Sequence, residues 1–127
     1  MKNRLLAVLA LSAVLLMLAF PLLAHHGMSW ADNEHPITVT GTVAEFRFVN
    51  PHCRMVLNVK NADGTVDRWD IEMPGPSTLH SAGWNSETIR TGDTVAASGG
   101  PAKDGRHLMA SRRYVINGKE KQTHGDE

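Results

Sequence analysis

The chain has 127 residues, 42% of them apolar and 20% charged, with 13 Lys and Arg against 13 Asp and Glu. That length suits one domain, and the apolar share excludes disorder along the whole chain. A formal charge of zero lacks the basic footprint of a nucleic-acid binder, so no nucleic acid is expected as a partner.

Lys2 and Arg4 precede an apolar run over residues 5–24 that is interrupted only by Ser12 and Pro21. Basic flank, apolar stretch, Pro21 and small Ala24 predict a secretory signal peptide over 1–24, cut after Ala24, and hence a periplasmic or secreted product. The alternative is an uncleaved inner-membrane anchor, because about 20 apolar residues can span a bilayer. Membrane contact is expected only through this segment. Its removal lowers the basic count to 11 against 13 acidic residues, so the exported part is faintly acidic. Cys53 is the only cysteine, which leaves no intramolecular disulfide to support the fold.

Residues 25–36 form a polar lead. The stretch 37–49 is rich in Val, Thr and Phe and reads as a first strand, with Gly41 marking a bulge or bend. Asn50-Pro51 ends it. Over 53–60, Cys53, Met55, Leu57 and Val59 alternate with Arg54, Asn58 and Lys60, the period of a second strand. Turn residues at 61–64 join it to a third strand over 65–73, where Trp69, Ile71 and Met73 share a face. Pro76 suits the first turn of a short helix that continues over 77–82 and closes at Gly83. Two further strands follow at 94–99 and 107–116, and the polar tail 117–127 is expected to fray. Trp30, Trp69 and Trp84 are expected to pack in the core or at its rim.

Three strands, a short helix and two more strands follow the plan of an all-β, five-stranded OB-like barrel over 37–116. A sandwich needs about seven strands and fits less well. No nucleophile elbow, phosphate-binding glycine loop, paired zinc-cysteine motif or HExxH appears, so the chain is not expected to be an enzyme.

His25-His26 stands at the predicted mature terminus. Cleavage there would join a free amine to the imidazole of His25, a bidentate chelate suited to copper, which tops the usual affinity order. His52 at a strand end is the candidate third ligand. Cys53 and Met55 are weaker candidates, because a soft sulfur pair suits Cu(I) but their shared face continues into Leu57 and Val59, as a core face does. Phe46, Arg47, Phe48 and Arg112 are candidates for an interaction surface. His35, His80, His107 and His124 read as solvent-facing, with His107 near the barrel mouth.

Taken together, His25-His26-Gly27, residues 38–43, Phe46 to His52, Gly83-Trp84 and residues 91–95, with Gly99 and Pro101 beyond, resemble a family of small exported bacterial proteins of uncharacterised function. The resemblance implies an exported OB-like domain and supplies no activity. Gly27 stands where the family often has Ser, and Cys53 lies outside its pattern. A looser likeness in fold and residue type is to small periplasmic copper chaperones with OB barrels.

Two functions are therefore expected to compete. One is an exported module binding a transition ion, copper foremost, through His25, His26 and His52. That reading requires the lead to fold back on the barrel near Asn50 to His52. The other is a metal-free module for an envelope protein or glycan.

Overall fold

The computed structural model describes residues 1–4 and 28–124. The apolar part of the predicted signal segment, both His25 and His26, and residues 125–127 lie outside that range.

Within residues 28–124, six strands and one helix follow in chain order: β1 (Ile37–Arg47), β2 (Arg54–Lys60), β3 (Val66–Glu72), α1 (Pro76–Ser81), β4 (Thr94–Pro101), β5 (Leu108–Ile116) and β6 (Lys119–Lys121). The sheet runs β3-β2-β1-β4-β5-β6, and a parallel pairing of β3 with β5 closes the first five strands into a barrel. This is the five-stranded OB architecture, with its short helix between the third and fourth strands. Closure removes the open edges that an antiparallel sheet of this length would present.

Alternation decides which side chains fill the barrel. In β2, Met55 and Leu57 are wholly buried while Arg54, Asn58 and Lys60 face solvent. Ile71 of β3, Val95 and Ala97 of β4, and Met109 and Tyr114 of β5 complete the core with Val39 and Val43 of β1. Each buried aliphatic side chain contributes about 1.5–3 kcal/mol relative to exposure. Beneath the barrel, Leu79 of α1, Trp84 and Ile89 join the same core.

The turn after β2 forms as its residues require. Gly64 adopts φ 88, Asn61 N–H donates to Thr65 O at 2.8 Å, and the Asp63 carboxylate accepts from Thr65 N at 2.9 Å. Helix α1 has Pro76 in its first turn and ends at Ala82, with Gly83 at φ 76 beyond it.

Gly41 serves a different purpose from the one its position suggests. The bulge in β1 falls between Val43 and Glu45, while a Cβ on Gly41 would stand 2.5 Å from Asn58 O. The glycine permits close strand approach, and the strand bends elsewhere.

The tail also differs from expectation. Asn117, at φ 49, and Gly118 turn the chain back so that β6 pairs with β5. Beyond it, Trp84 Nε1 donates to Gln122 O at 2.6 Å, and Thr123, 2% exposed, donates to Arg112 O at 2.9 Å. The hydrogen bonds of an indole and a hydroxyl hold this segment, so fraying is not its state through residue 123.

The same turn is tied electrostatically. Asp93 accepts from Asn117 Nδ2 at 3.0 Å and from Arg90 N at 2.9 Å, and these hydrogen bonds hold its carboxyl below the ordinary carboxylate range. Hydrogen bonds also lower Asp63 and Asp104. A carboxyl lowered by folding contributes stability above its unfolded pKa and loses it as pH falls through the folded value. Melting temperature should therefore decline below about pH 4, and Asp93→Asn should flatten part of that decline. A melting temperature unchanged from neutral pH to the acid limit would contradict this.

Candidate functional site

His52 is positioned by the loop between β1 and β2. The Asn50–Pro51 peptide bond is cis, and Cys53 extends the β2–β3 ladder by accepting from Met73 N at 2.9 Å. Gly75 lets the loop close: a Cβ there would lie 2.5 Å from Pro51 O. This fold of the loop sets His52 Nδ1 2.9 Å from Glu72 Oε1. The His52 side chain is 47% exposed and that of Glu72 only 18%. The contact places a carboxylate oxygen beside Nδ1 and leaves Nε2 as the ring nitrogen that Glu72 does not face. A carboxylate behind an imidazole is the arrangement that orients histidine ligands in metal sites.

The sulfur pair is placed otherwise. Cys53 and Met55 are both fully buried in the barrel core, in one cluster with Leu57, Ile71 and Met73. Burial pushes the Cys53 thiol up, which disfavours the thiolate that binds metal. Both side chains are core residues, the placement that their shared face with Leu57 and Val59 favours.

The polar lead is docked on the barrel. Ala31 bridges to Ala102, Asp32 N donates to Pro101 O at 2.8 Å, and Lys103 N donates to Trp30 O at 2.9 Å. Met28, where the described lead begins, lines a groove with Gly99, Gly100, Ala110, Arg112 and Arg113. Ala110 is the register partner of Glu72 across the β3–β5 closure. Met28 thus lines a groove with Ala110, whose partner Glu72 stands beside His52. No group of three His, Cys, Asp or Glu able to hold a metal forms among the described residues, which exclude His25 and His26.

The four residues expected to form one interaction surface are divided. Phe46 and Phe48 are half-buried against the core and meet edge to face, with ring centroids 6.2 Å apart. Arg47 pairs with Glu45 on the outer face of β1, near the Arg54–Asp70 pair, and these residues with Val56 line a groove of about 230 Å³. Arg112 lies instead in the groove beside Met28.

Three of the other described histidines have local partners. His107 stacks on Trp69 with centroids 4.9 Å apart, and His35 hydrogen-bonds Asp32, lowering that carboxyl. His80 is exposed on α1, and His124 lies 3.2 Å from the Thr123 hydroxyl. Glu72 and Arg113 were not legible as site residues. The register Arg54↔Glu72 carries the only signal for Glu72, since it places that residue beside the loop containing His52.

Residues 13–110 match a family described as "Family of unknown function (DUF6152)". No curated protein matches the sequence. Among solved structures, the mitochondrial single-stranded DNA binding protein Rim1 of S. cerevisiae is similar at 13% identity and a TM-score of 0.50, over 69% of this chain and 96% of that one. A second crystal structure of it gives 14% identity and the same TM-score and coverage. The N-terminal domain of PriB from Thermoanaerobacter tencongensis has 18% identity and a TM-score of 0.49, over 65% of this chain and 96% of that one.

The likeness to Rim1 shows a shared fold. It also overturns the expectation that nucleic acid is excluded as a partner, since proteins named for binding single-stranded DNA use this barrel. Net charge summed over a chain says little about the charge on one face. No helix among the described residues is long and apolar enough to cross a membrane.

Proposed function

This chain belongs to DUF6152, a family of unknown function, and on its geometry we propose an exported, non-enzymatic module that binds a transition ion, copper foremost, through His25, His26 and His52. The observation that carries the reading is the 2.9 Å contact between His52 Nδ1 and Glu72, which leaves Nε2 available on a half-exposed ring. Reach supports it as well. Neighbouring strands lie about 4.8 Å apart, and extended chain covers roughly 3.3–3.6 Å per residue. His26 and His25 stand two and three residues before Met28, so both can reach from the groove to the next strand. Cleavage after Ala24 would add an amine to the His25 imidazole, giving the nitrogen-rich set that Cu²⁺ favours.

The test is copper titration of the exported protein. His25→Ala with His26→Ala should abolish stoichiometric binding, and Glu72→Gln should weaken it about 10–100-fold. Unchanged affinity in the double variant would sink the site. N-terminal sequencing should find His25 first, and a retained leader would remove the amine ligand from the scheme.

A second reading is favoured by the fold likeness. The outer face of β1 to β3, with Arg47 and Arg54, would take an extended polymer without metal, whether an envelope protein, a glycan or a single-stranded nucleic acid. An oligothymidylate is the first probe, in metal-free buffer at several salt concentrations. Saturable, salt-sensitive binding that Arg47→Ala and Arg54→Ala weaken would support this reading over copper.

A further inference from the structure

The groove between the lead and the β4–β5 pair has properties that the copper reading does not use. Its volume is about 300 Å³, and Arg112 and Arg113 both line it. Other grooves formed by the described residues mix their cations with carboxylates: Glu45 and Asp70 in one, Glu87 and Glu120 in a second, Asp32 and Glu34 in a third. Among the described residues no carboxylate lines this one, and neither Arg112 nor Arg113 makes an ion pair there.

Two adjacent residues reach one groove because β5 is irregular there. Its register with β4 shifts between Ser98 and Gly99, leaving Arg112 between the pairs Ser98↔Arg113 and Gly99↔Ser111. The backbone of this bulge is held from several sides. Ser111 Oγ donates to Ser98 O at 2.8 Å, Tyr114 Oη donates to Ser111 O at 2.5 Å, and Thr123 Oγ1 donates to Arg112 O at 2.9 Å. Gly99 and Gly100 line the groove with backbone alone, and the close packing of their neighbours requires glycine there: a Cβ on Gly99 would lie 1.9 Å from Ala110 O and one on Gly100 would lie 2.6 Å from Asn33 Oδ1. Met28 and Pro36 supply an apolar wall.

We infer that this groove binds a phosphate monoester, held by the guanidinium groups of Arg112 and Arg113. Two guanidinium charges match a monoester, which carries about −1.5 to −2 near neutral pH. A single carboxylate would leave one arginine unmatched. Guanidinium forks suit phosphate oxygens, and a bulge already fixed by hydrogen bonds lowers the ordering cost of binding. Asn33 at the rim offers a further polar contact to the ester's body.

The test uses the chain purified as the cell accumulates it, treated with a chelator. One arm titrates inorganic phosphate and glycerol phosphate and follows the amide signals of Gly99, Gly100, Arg112 and Arg113. The other measures co-sedimentation with phosphatidylcholine vesicles with or without phosphatidic acid. Saturation in the first arm assigns a soluble monoester, and binding only to phosphatidic acid vesicles assigns a lipid-borne one. Either supports the site, provided Arg112→Ala and Arg113→Ala each weaken binding about tenfold. Lys at both positions keeps the charge and loses the fork, so it should restore the affinity only in part. Circular dichroism confirms that each variant is folded. No saturable binding in either arm, or binding that both alanine variants leave unchanged, overturns the proposal. His52→Ala should leave phosphate affinity as it is while reducing copper binding, which separates this site from the metal reading.

Discussion

Trp84→Ala should lower the unfolding free energy by about 3–5 kcal/mol, the cost of removing a large aromatic side chain from a packed core. Trp84 is 1% exposed, and its ring meets Tyr114 edge to face with centroids 5.5 Å apart. Lys121 Nζ sits 5.6 Å from the ring centroid, and Nε1 donates to Gln122 O. The substitution therefore removes core volume and the anchor of the C-terminal strap together. Denaturant unfolding would measure the first effect. Amide exchange at residues 119–123 should report the second, rising more than exchange in β1 or β2. Trp84→Phe separates the two, since it keeps much of the volume and loses the hydrogen bond. If exchange in the strap follows global stability alone in both variants, the indole is not its anchor.

Trp84 also shows where sequence reasoning about this fold stops. Its burial is expected from residue type, but its partner Gln122 lies in a segment whose composition is that of a frayed tail. Three residues of β6 carry no period long enough to read. They are ordered by the Asn117-Gly118 turn and by long-range bonds from Trp84 and Thr123, none of which leaves a local pattern. The barrel itself is legible because alternation is local: Met55 and Leu57 inward, Arg54 and Asn58 outward, with turn residues between strands. Gly41 misleads for the same reason that makes glycine informative. A bulge and a close backbone approach both ask for glycine, and the Asn58 carbonyl that decides between them is 17 positions away in sequence.

The site is readable only in half. His52 stands out by its place at a strand end, while Glu72 becomes a partner only through the β2–β3 register. Arg112-Arg113 looks like a solvated pair straddling a strand, because regular alternation sends neighbours to opposite faces. The bulge breaks that rule, and it depends on how β5 pairs with Ser98 and Gly99 of the preceding strand. The formal charge of zero likewise averages over the groove with two guanidiniums that no described carboxylate pairs and over faces where charges are paired. Charge matters to recognition through its placement, and placement here follows strand register.

Gly99→Ala tests that register most directly. A Cβ at Gly99 would stand 1.9 Å from Ala110 O and 2.9 Å from Ser111 Cα, both backbone atoms that no rotamer change can move. Only separation of β4 from β5 relieves the overlap, and it breaks ladder hydrogen bonds beside the bulge. A loss of about 3 kcal/mol or more is expected, beyond the usual cost of an added methyl group. Gly64→Ala is the comparison. Gly64 adopts φ 88, and a Cβ there would meet nothing within 4 Å, so only backbone conformation opposes the methyl group, at about 1–2 kcal/mol. Urea unfolding of both variants should give the larger midpoint decrease for Gly99→Ala with a similar slope. The two effects should also differ in reach: Gly99→Ala should disturb phosphate binding at Arg112 and Arg113, because the displaced strand carries the floor of their groove, while Gly64→Ala should leave it intact. Equal destabilisation by the two substitutions would mean that β4 and β5 are not held at the separation seen here, and the bulge would then lose its claim to aim both arginines into one groove.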